Sequence, residues 1–269
     1  MMVETKRRRQ DDCQLSHAYL ALHARGRYGE YVERAIEGGL KILGFSDHTP
    51  MPYANGYVSN VKMRLNQLEG YVDTVLNLKK EYEKDIEIHL GLEVEYYPKY
   101  FKELLHITGQ YPIEYFLLAQ HFLGNEIDDV YSGDETQDPK ILERYCLQCR
   151  EAMLTGCFTY FAHPDLLHFT GDPAVYDHWM RGLCEDAKKA GLPLEINFLG
   201  IGGHRHYPNP AFWKIVGEVG NPVIFGSDAH EPDKVWNPAA LKKGEEIVKE
   251  NGLHLLDTIE LVNPAGTLL

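Results

Sequence analysis

Histidines and carboxylates recur in this 269-residue chain at the ends of short apolar runs. In order they are His17 and His23, then Ser46-Asp47-His48, Gly91-Leu92-Glu93, Gln120-His121, Ala162-His163-Pro164-Asp165, Glu195-Ile196-Asn197 and Ser227-Asp228-Ala229-His230. A single histidine at a strand end is ordinarily a hydrogen-bonded structural residue. A series of them is different, because crowding imidazoles and carboxylates into one buried place is costly unless a cation satisfies them. Divalent metal does so directly, and a mixed nitrogen and oxygen donor set suits Zn, Mn or Fe better than Ca, which prefers oxygen cages. Hydrolysis is the chemistry such a cluster supports, since metal ions neutralise an anionic substrate and activate water.

These donors need elements that deliver them to one place. Apolar runs at 41–46, 86–94, 115–119, 158–162, 192–196 and 223–226 read as buried strands. Between them, stretches at 30–38, 65–84, 139–154, 176–190 and 239–250 carry apolar residues at helical spacing. This β-α alternation predicts a mostly parallel sheet with helices outside it, either open and doubly wound or closed as a barrel. In a parallel barrel functional residues collect at the C-terminal strand ends, which is where the donors fall. Residues 9–28 show no clear strand pattern ahead of the first donors. No G-x-G-x-x-G or Walker A loop follows a strand, which argues against a dinucleotide or P-loop site.

Bulk properties narrow the partners. The length fits one α/β domain over 1–269, with residues 1–12 as a disordered or atypical tail. Hydrophobic residues make up 44% of the chain, yet none of its apolar runs approaches the roughly 20 residues of a membrane span. A net charge of -13 disfavours nucleic acid and anionic membrane surfaces as partners, while a metal cluster would still attract a small anion. The Lys6-Arg7-Arg8-Arg9 run lacks the apolar segment of a secretory signal, and an odd set of five cysteines forms no disulfide framework. Both point to the cytoplasm. Cys146 and Cys149 form a C-x-x-C with no second pair nearby, and read as two helix residues.

In series, the motifs resemble the PHP (polymerase and histidinol phosphatase) superfamily, and within it the histidinol-phosphate phosphatases. Ser46-Asp47-His48, Gly91-Leu92-Glu93, His121, Ala162-His163-Pro164-Asp165 and Asp228-Ala229-His230 carry the resemblance in type, order and approximate spacing. It implies an α/β fold, a distorted (β/α)7 TIM-like barrel, holding two or three divalent metal ions. Position by position, it implies that Glu93 bridges two metals, one shared with His17 and Asp228 and the other with His121 and His163. A third would take His23, His48 and His230, while Asp47 and Asp165 orient ligating imidazoles. One departure stands out: the family's opening H-x-H would place a histidine two residues before His17, where this chain has Leu15. Leucine cannot ligate metal, so the first site loses a ligand.

The resemblance further implies hydrolysis of a small phosphate monoester, L-histidinol phosphate in histidine biosynthesis. Arg64, ahead of a helix, and Arg205, in the 202–208 loop, are the candidates for positioning phosphate. His204 and His206 beside Arg205 either contact substrate or lie in solvent. Asp228 or His230 would pass a proton to the leaving alkoxide, a part that falls to bound water once both ligate metal. Long segments at 51–62, with Tyr53 and Tyr57, and at 125–137, with Glu126, Asp128, Asp129, Asp134 and Glu135, follow strand ends and would shape access. The acidic second segment suits a cationic amine or is simply solvated. Two other readings stay open: a PHP phosphoesterase acting on nucleotides, and a catalytically weakened metal-binding barrel in which Leu15 disables a site. A carboxylated-lysine amidohydrolase barrel predicts other strand-end motifs. The oligomeric state is left open by the sequence.

Overall fold

Successive βα units build the molecule. The computed structural model describes residues 16–18, 25–127 and 130–267, with 16–18 and 267 described as backbone alone. Its first half runs β1 (Ser16–Ala18), α1 (Tyr28–Glu37), β2 (Ile42–His48), α2 (Leu68–Glu81), β3 (Glu87–Val94), α3 (Pro98–Thr108) and β4 (Tyr115–Leu118). The second continues with α4 (Pro139–Leu154), β5 (Tyr160–Phe161), α5 (Pro173–Lys189), β6 (Leu194–Asn197), α6 (Phe198–Gly202) and α7 (Pro210–Val219). It ends with β7 (Pro222–Gly226), α8 (Pro238–Asn251) and β8 (His254–Leu255). Strand pairing is parallel and follows chain order from β1 to β8. The sheet curls until β1 approaches β7, with the two-residue β8 as an added edge. This is the distorted barrel expected, and it settles the choice between open and curled sheets.

Alternation along the strands sorts side chains into two layers, because successive residues point to opposite faces. Leu43 and Phe45 of β2, Leu92 and Val94 of β3, Phe116 and Leu118 of β4, and Val223 and Phe225 of β7 pack outward among the helices. Tyr115, Leu117, Ala119, Tyr160, Ala162 and Ile224 form a separate inner cluster. Both faces are apolar, so the strands read as continuous apolar runs rather than alternating ones. At the C-terminal ends the inner register turns polar: His48 lies opposite Glu93, and Glu195 and Asn197 close β6.

Helix starts are written in a repeated dipeptide. Asp138-Pro139, Asp172-Pro173, Asn209-Pro210 and Asn237-Pro238 open α4, α5, α7 and α8, and each cap side chain accepts a backbone N–H of the first turn. Such a cap contributes about 1 kcal/mol, and proline at the first position loses no hydrogen bond. Periodicity over 30–38, 65–84, 139–154, 176–190 and 239–250 matches α1, α2, α4, α5 and α8, with α2 preceded by a 3-10 turn at Leu65–Gln67. Helices α3, α6 and α7 and strand β8 go beyond that expectation. So does β1, whose three residues are too few to show a pattern. Residues 1–12, read as a tail, lie outside the described residues. Cys146 and Cys149 sit buried in α4, where burial pushes both thiols up, as inert helix residues rather than a redox pair. None of the described helices is long and apolar enough to cross a membrane.

Gly91 in β3 shows how tightly the barrel interior is filled. A Cβ there would fall 2.3 to 2.5 Å from three ring carbons of Tyr115, whose hydroxyl is held on the Phe45 carbonyl at 3.0 Å. The ring cannot retreat without losing that bond. Gly91→Ala is expected to lower stability by about 1–3 kcal/mol, as overpacking does. Urea denaturation checks this, and an unchanged midpoint would show that Tyr115 has room to move.

Candidate metal centre

Strand register delivers the first donors. His48 ends β2 directly opposite Glu93 on β3, and His121 follows β4 by a short turn. One ligand atom from each of His48, Glu93 and His121 lies within 4.8 Å of the others. His48 Nδ1 is 3.4 Å from Glu93 Oε2, while the Nε2 atoms of His163 and His121 stand 3.2 and 3.8 Å from Glu93 Oε1. Glu93 is thus surrounded by three imidazoles. Beside it opens a cavity of about 250 Å³ lined by His48, His121, His163, Asp228 and His230. The predicted donors from β2 to β7 converge on one mouth.

Charge at this mouth is unbalanced. Glu93 is 1% exposed, and burial, then Asp228, Glu195 and Glu95, push its carboxyl well above the usual carboxylate range. Its Oε2 finds no hydrogen-bond partner among the described residues, and neither does Nδ1 of His121. A buried carboxylate facing other carboxylates costs several kcal/mol unless a cation compensates it. An imidazole and carboxylate set of this size fits a divalent ion of the zinc type.

The backbone is bent to hold the set. His163 and Asp228 adopt left-handed conformations, with φ of 34° and 45°, which residues with a Cβ avoid at about 1–3 kcal/mol each. Glu195 and Asn197, strand-end residues with no role assigned from the sequence, build a network that over-determines them. Glu195 Oε2 accepts from the His163 backbone N–H at 2.9 Å, and Asn197 Nδ2 donates to Glu195 Oε2 and Asp228 Oδ2, both at 3.0 Å. Glu195 and Asn197 fall at a strand end like the predicted donors, and their spacing of two puts both on the inner face. That was the available signal.

Other predicted residues find varied places. Arg205 is exposed on the cavity wall and donates from its Nη1 to the Tyr207 hydroxyl at 3.0 Å. Arg64 is exposed at the start of the 3-10 turn and does not line the cavity. Instead, Lys62 two residues earlier is buried, paired with Glu95 and, at 3.0 Å, with Glu126. Burial favours the neutral amine of Lys62, but those two carboxylates override it and keep it charged. Burial likewise opposes ionisation of Glu95, and Lys62 with His121 hold its carboxyl below the usual range. Glu126, expected on an acidic rim, is therefore an internal ion-pair partner. Asp128 and Asp129 of that segment lie outside the described residues.

Asp47 accepts from the Tyr28 hydroxyl at 2.7 Å. Asp165 accepts from the Asn209 backbone N–H at 2.6 Å and the Trp213 indole at 3.0 Å, and burial raises its carboxyl to about 7 against those bonds. Both aspartates thus tie strand-end loops to helices α1 and α7. His206 Nε2 lies 2.6 Å from the Leu166 carbonyl, and its ring stacks on His168 at 4.1 Å. His17 stands in β1 opposite Gly44, described as backbone alone, and His23 lies outside the described residues. The resemblance grouped His48 with His23 and His230; His48 and His230 line the same cavity, and His48 also lies close to Glu93 and His121.

A family profile described as PHP domain matches residues 12–198. The chain belongs to the PHP domain family. Among its PHP relatives, a Bacillus subtilis protein named histidinol-phosphatase is 32% identical over 238 residues, 77% of this chain and 88% of that one. A Lactococcus lactis protein of the same name is 22% identical over 266 residues, 90% of this chain and 91% of its own. A crystal structure of histidinol phosphate phosphatase from Lactococcus lactis, complexed with zinc, L-histidinol and phosphate, superposes with a TM-score of 0.71 at 19% identity. That match covers 92% of this chain and 98% of the other, and is a likeness of fold. The PHP barrel here is the one the motif series resembled.

Repulsion around Glu93 generates a crossed stability effect. A carboxyl with a raised folded pKa binds its proton more tightly in the folded state, so the stability it adds below the unfolded pKa is lost as pH rises through the folded one. In chelator at pH 8, Glu93→Gln is therefore expected to melt above the parent protein. With divalent metal added the order reverses, because glutamine gives up an anionic ligand. Paired thermal melts test this, and a variant that is weaker in chelator would show that Glu93 is not repelled by its neighbours.

Proposed function

We propose that this PHP protein is a metal-dependent phosphoric monoester hydrolase whose substrate is L-histidinol phosphate. What carries the reading is the convergence of His48, His121, His163, Asp228 and His230 on one cavity beside the buried Glu93, in a chain whose relatives across most of its length are named histidinol-phosphatases. Those residues, with His17 and His23, would hold two or three divalent ions, Zn, Mn or Fe, with Glu93 central. When bound, such ions neutralise phosphate charge and activate water at neutral pH.

The chain's own groups do the rest. Arg205 offers a guanidinium to the phosphate oxygens from the cavity wall, and Tyr207 fixes its direction through the 3.0 Å hydrogen bond. Burial opposes its charged form, and Tyr207, then Asp228 and Tyr131, outweigh it. His230 Nδ1 lies 3.0 Å from the Asp228 carbonyl, an acceptor only, so Nδ1 carries a proton and Nε2 is the nitrogen that a neutral ring offers as a lone pair. In that tautomer His230 serves as ligand or base, and the leaving alkoxide takes its proton from water. Phe122, Tyr131, Leu166 and Leu199 supply an apolar wall for the organic part of a small ester. A net charge of -13 sets the molecule against nucleic-acid polymers.

A second reading rests on Leu15, where the family pattern has a ligand: the barrel binds metal but turns over weakly. The test is phosphate release from L-histidinol phosphate and from a nucleoside monophosphate, with Mn or Zn and with chelator, for the chain and for Leu15→His. Chelator-sensitive release from histidinol phosphate in the parent chain is expected. Release only in Leu15→His favours the weakened barrel, and silence in both sinks the hydrolase. Arg205→Ala is expected to lower kcat/KM about 100-fold with metal content unchanged, the scale of losing one donor to a transferring phosphoryl group.

A further inference from the structure

We propose that Lys62 is a positioning residue of this centre: it anchors Glu95 behind the His121 imidazole and, through Glu126, pins the loops after β2 and β4 to each other. The inference rests on the reading of the cluster as a metal centre and deepens it.

Lys62 is 2% exposed, a rare state for a lysine, and it is not part of the cavity wall. Its ammonium is therefore spent inside the protein rather than on substrate. It reaches Glu95 just after β3, and Glu126 Oε2 in the loop after β4 at 3.0 Å, while the rings of Phe122 and Tyr97 lie 5.5 and 5.7 Å away. Three successive strand-end segments meet on one nitrogen.

Each carboxylate then has a separate task. Glu95 Oε2 accepts from the backbone N–H groups of His121 and Phe122 at 3.0 and 2.8 Å and from the Tyr97 hydroxyl at 2.7 Å. Its Oε1 stands 3.6 Å from His121 Nδ1. One side chain thus holds the main chain of His121 by a hydrogen bond and stands within ion-pair distance of the far side of its ring, whose Nε2 is on the Glu93 side. A carboxylate behind an imidazole fixes tautomer and orientation for ligation. Glu126 collects Ser59, Tyr53 and Tyr57 from the loop after β2, at 2.6, 3.1 and 3.3 Å. Without Lys62, Glu95 and Glu126 would be two buried anions facing each other, and Glu95 Oε1, the atom behind the His121 ring, would lose the partner that fixes it.

A bland buried ion pair would affect folding only, so the test reads metal. Zinc affinity by chelator competition and the visible spectrum of the cobalt-loaded protein are compared for the parent chain, Lys62→Met, Lys62→Arg, Glu95→Gln and Glu126→Gln. Lys62→Met and Glu95→Gln are expected to weaken zinc binding about 10–100-fold and to alter the cobalt spectrum, the scale of losing a group that orients a ligand. Glu126→Gln keeps the Lys62–Glu95 pair and is expected to keep parental affinity; Lys62→Arg keeps the charge and is expected to recover part of the loss. Unchanged affinity and spectrum in Glu95→Gln would overturn the proposal even if Lys62→Met fails to fold, and so would a parent chain that binds no zinc. Absence of turnover on histidinol phosphate, with the metal differences intact, would sink the substrate assignment alone.

Discussion

The Glu93 carboxylate is buried at the C-terminal end of β3 with Asp228, Glu195 and Glu95 around it and three imidazoles in front of it. Its neighbours raise its proton affinity instead of stabilising its charge, the reverse of what a structural carboxylate experiences. A fold that merely needed to close a barrel would place an apolar residue there, as it does at Leu117 directly opposite on β4 and at Tyr115 two residues earlier. Keeping four acids near one point makes sense where a cation is the missing partner, and the remaining features of the mouth follow from that demand. Positive φ at His163 and Asp228 places donors where relaxed backbone would not. Glu195 and Asn197 then stabilise the strained positions.

Parallel architecture supplies the common point. The strands all end on the same side, so donors at the ends of β2, β3 and β6 and just after β4, β5 and β7 reach one mouth, and the helices outside need no specific chemistry. This divides the interior by height. Below lie Tyr115, Tyr160 and Ile224 as packing; above lie His48, Glu93 and Asn197 as donors. The boundary is sharp because Gly91, just below Glu93, yields its volume to the Tyr115 ring. Packing of the inner layer therefore sets the height at which Glu93 emerges.

Much of this was legible in the sequence, because apolar runs ending in His, Asp or Glu report strand, depth and chemistry together. The matches from β2 to β7 rest on that signal, as do α1, α2, α4, α5 and α8 on helical spacing. Less legible were features that depend on pairing between distant segments. Arg64 has the residue type expected of a phosphate ligand, yet it is exposed, because Lys62 is the side chain that the loop turns inward. Glu126 reads as a solvated acid until Lys62 is placed beside it. Helix α3 is not among the expected helices although Tyr100, Phe101, Leu104, Leu105 and Thr108 follow helical spacing and are buried, because only Glu95, Tyr96 and Tyr97 separate it from the apolar run of β3. Strand β1 carries three residues, too few for periodicity to speak.

Glu93 and Glu95 show how context divides equal side chains. They stand two residues apart, on the same side of the chain, both essentially without water. Glu93 looks toward Asp228 and Glu195 and is pushed toward protonation; Glu95 looks toward Lys62 and is held ionised. Burial acts on both in the same direction, so the difference comes from the neighbouring charges and the hydrogen bonds they make. One carboxylate is left in need of a cation from outside, and the other is satisfied by a cation of the chain and turned to holding His121. Two acids driven apart in this way mark a site where one group is kept for an external partner and the other for keeping its neighbour in place. The charge of Lys62 is consequently as much a part of the mouth as the donors, although it lines no part of the cavity.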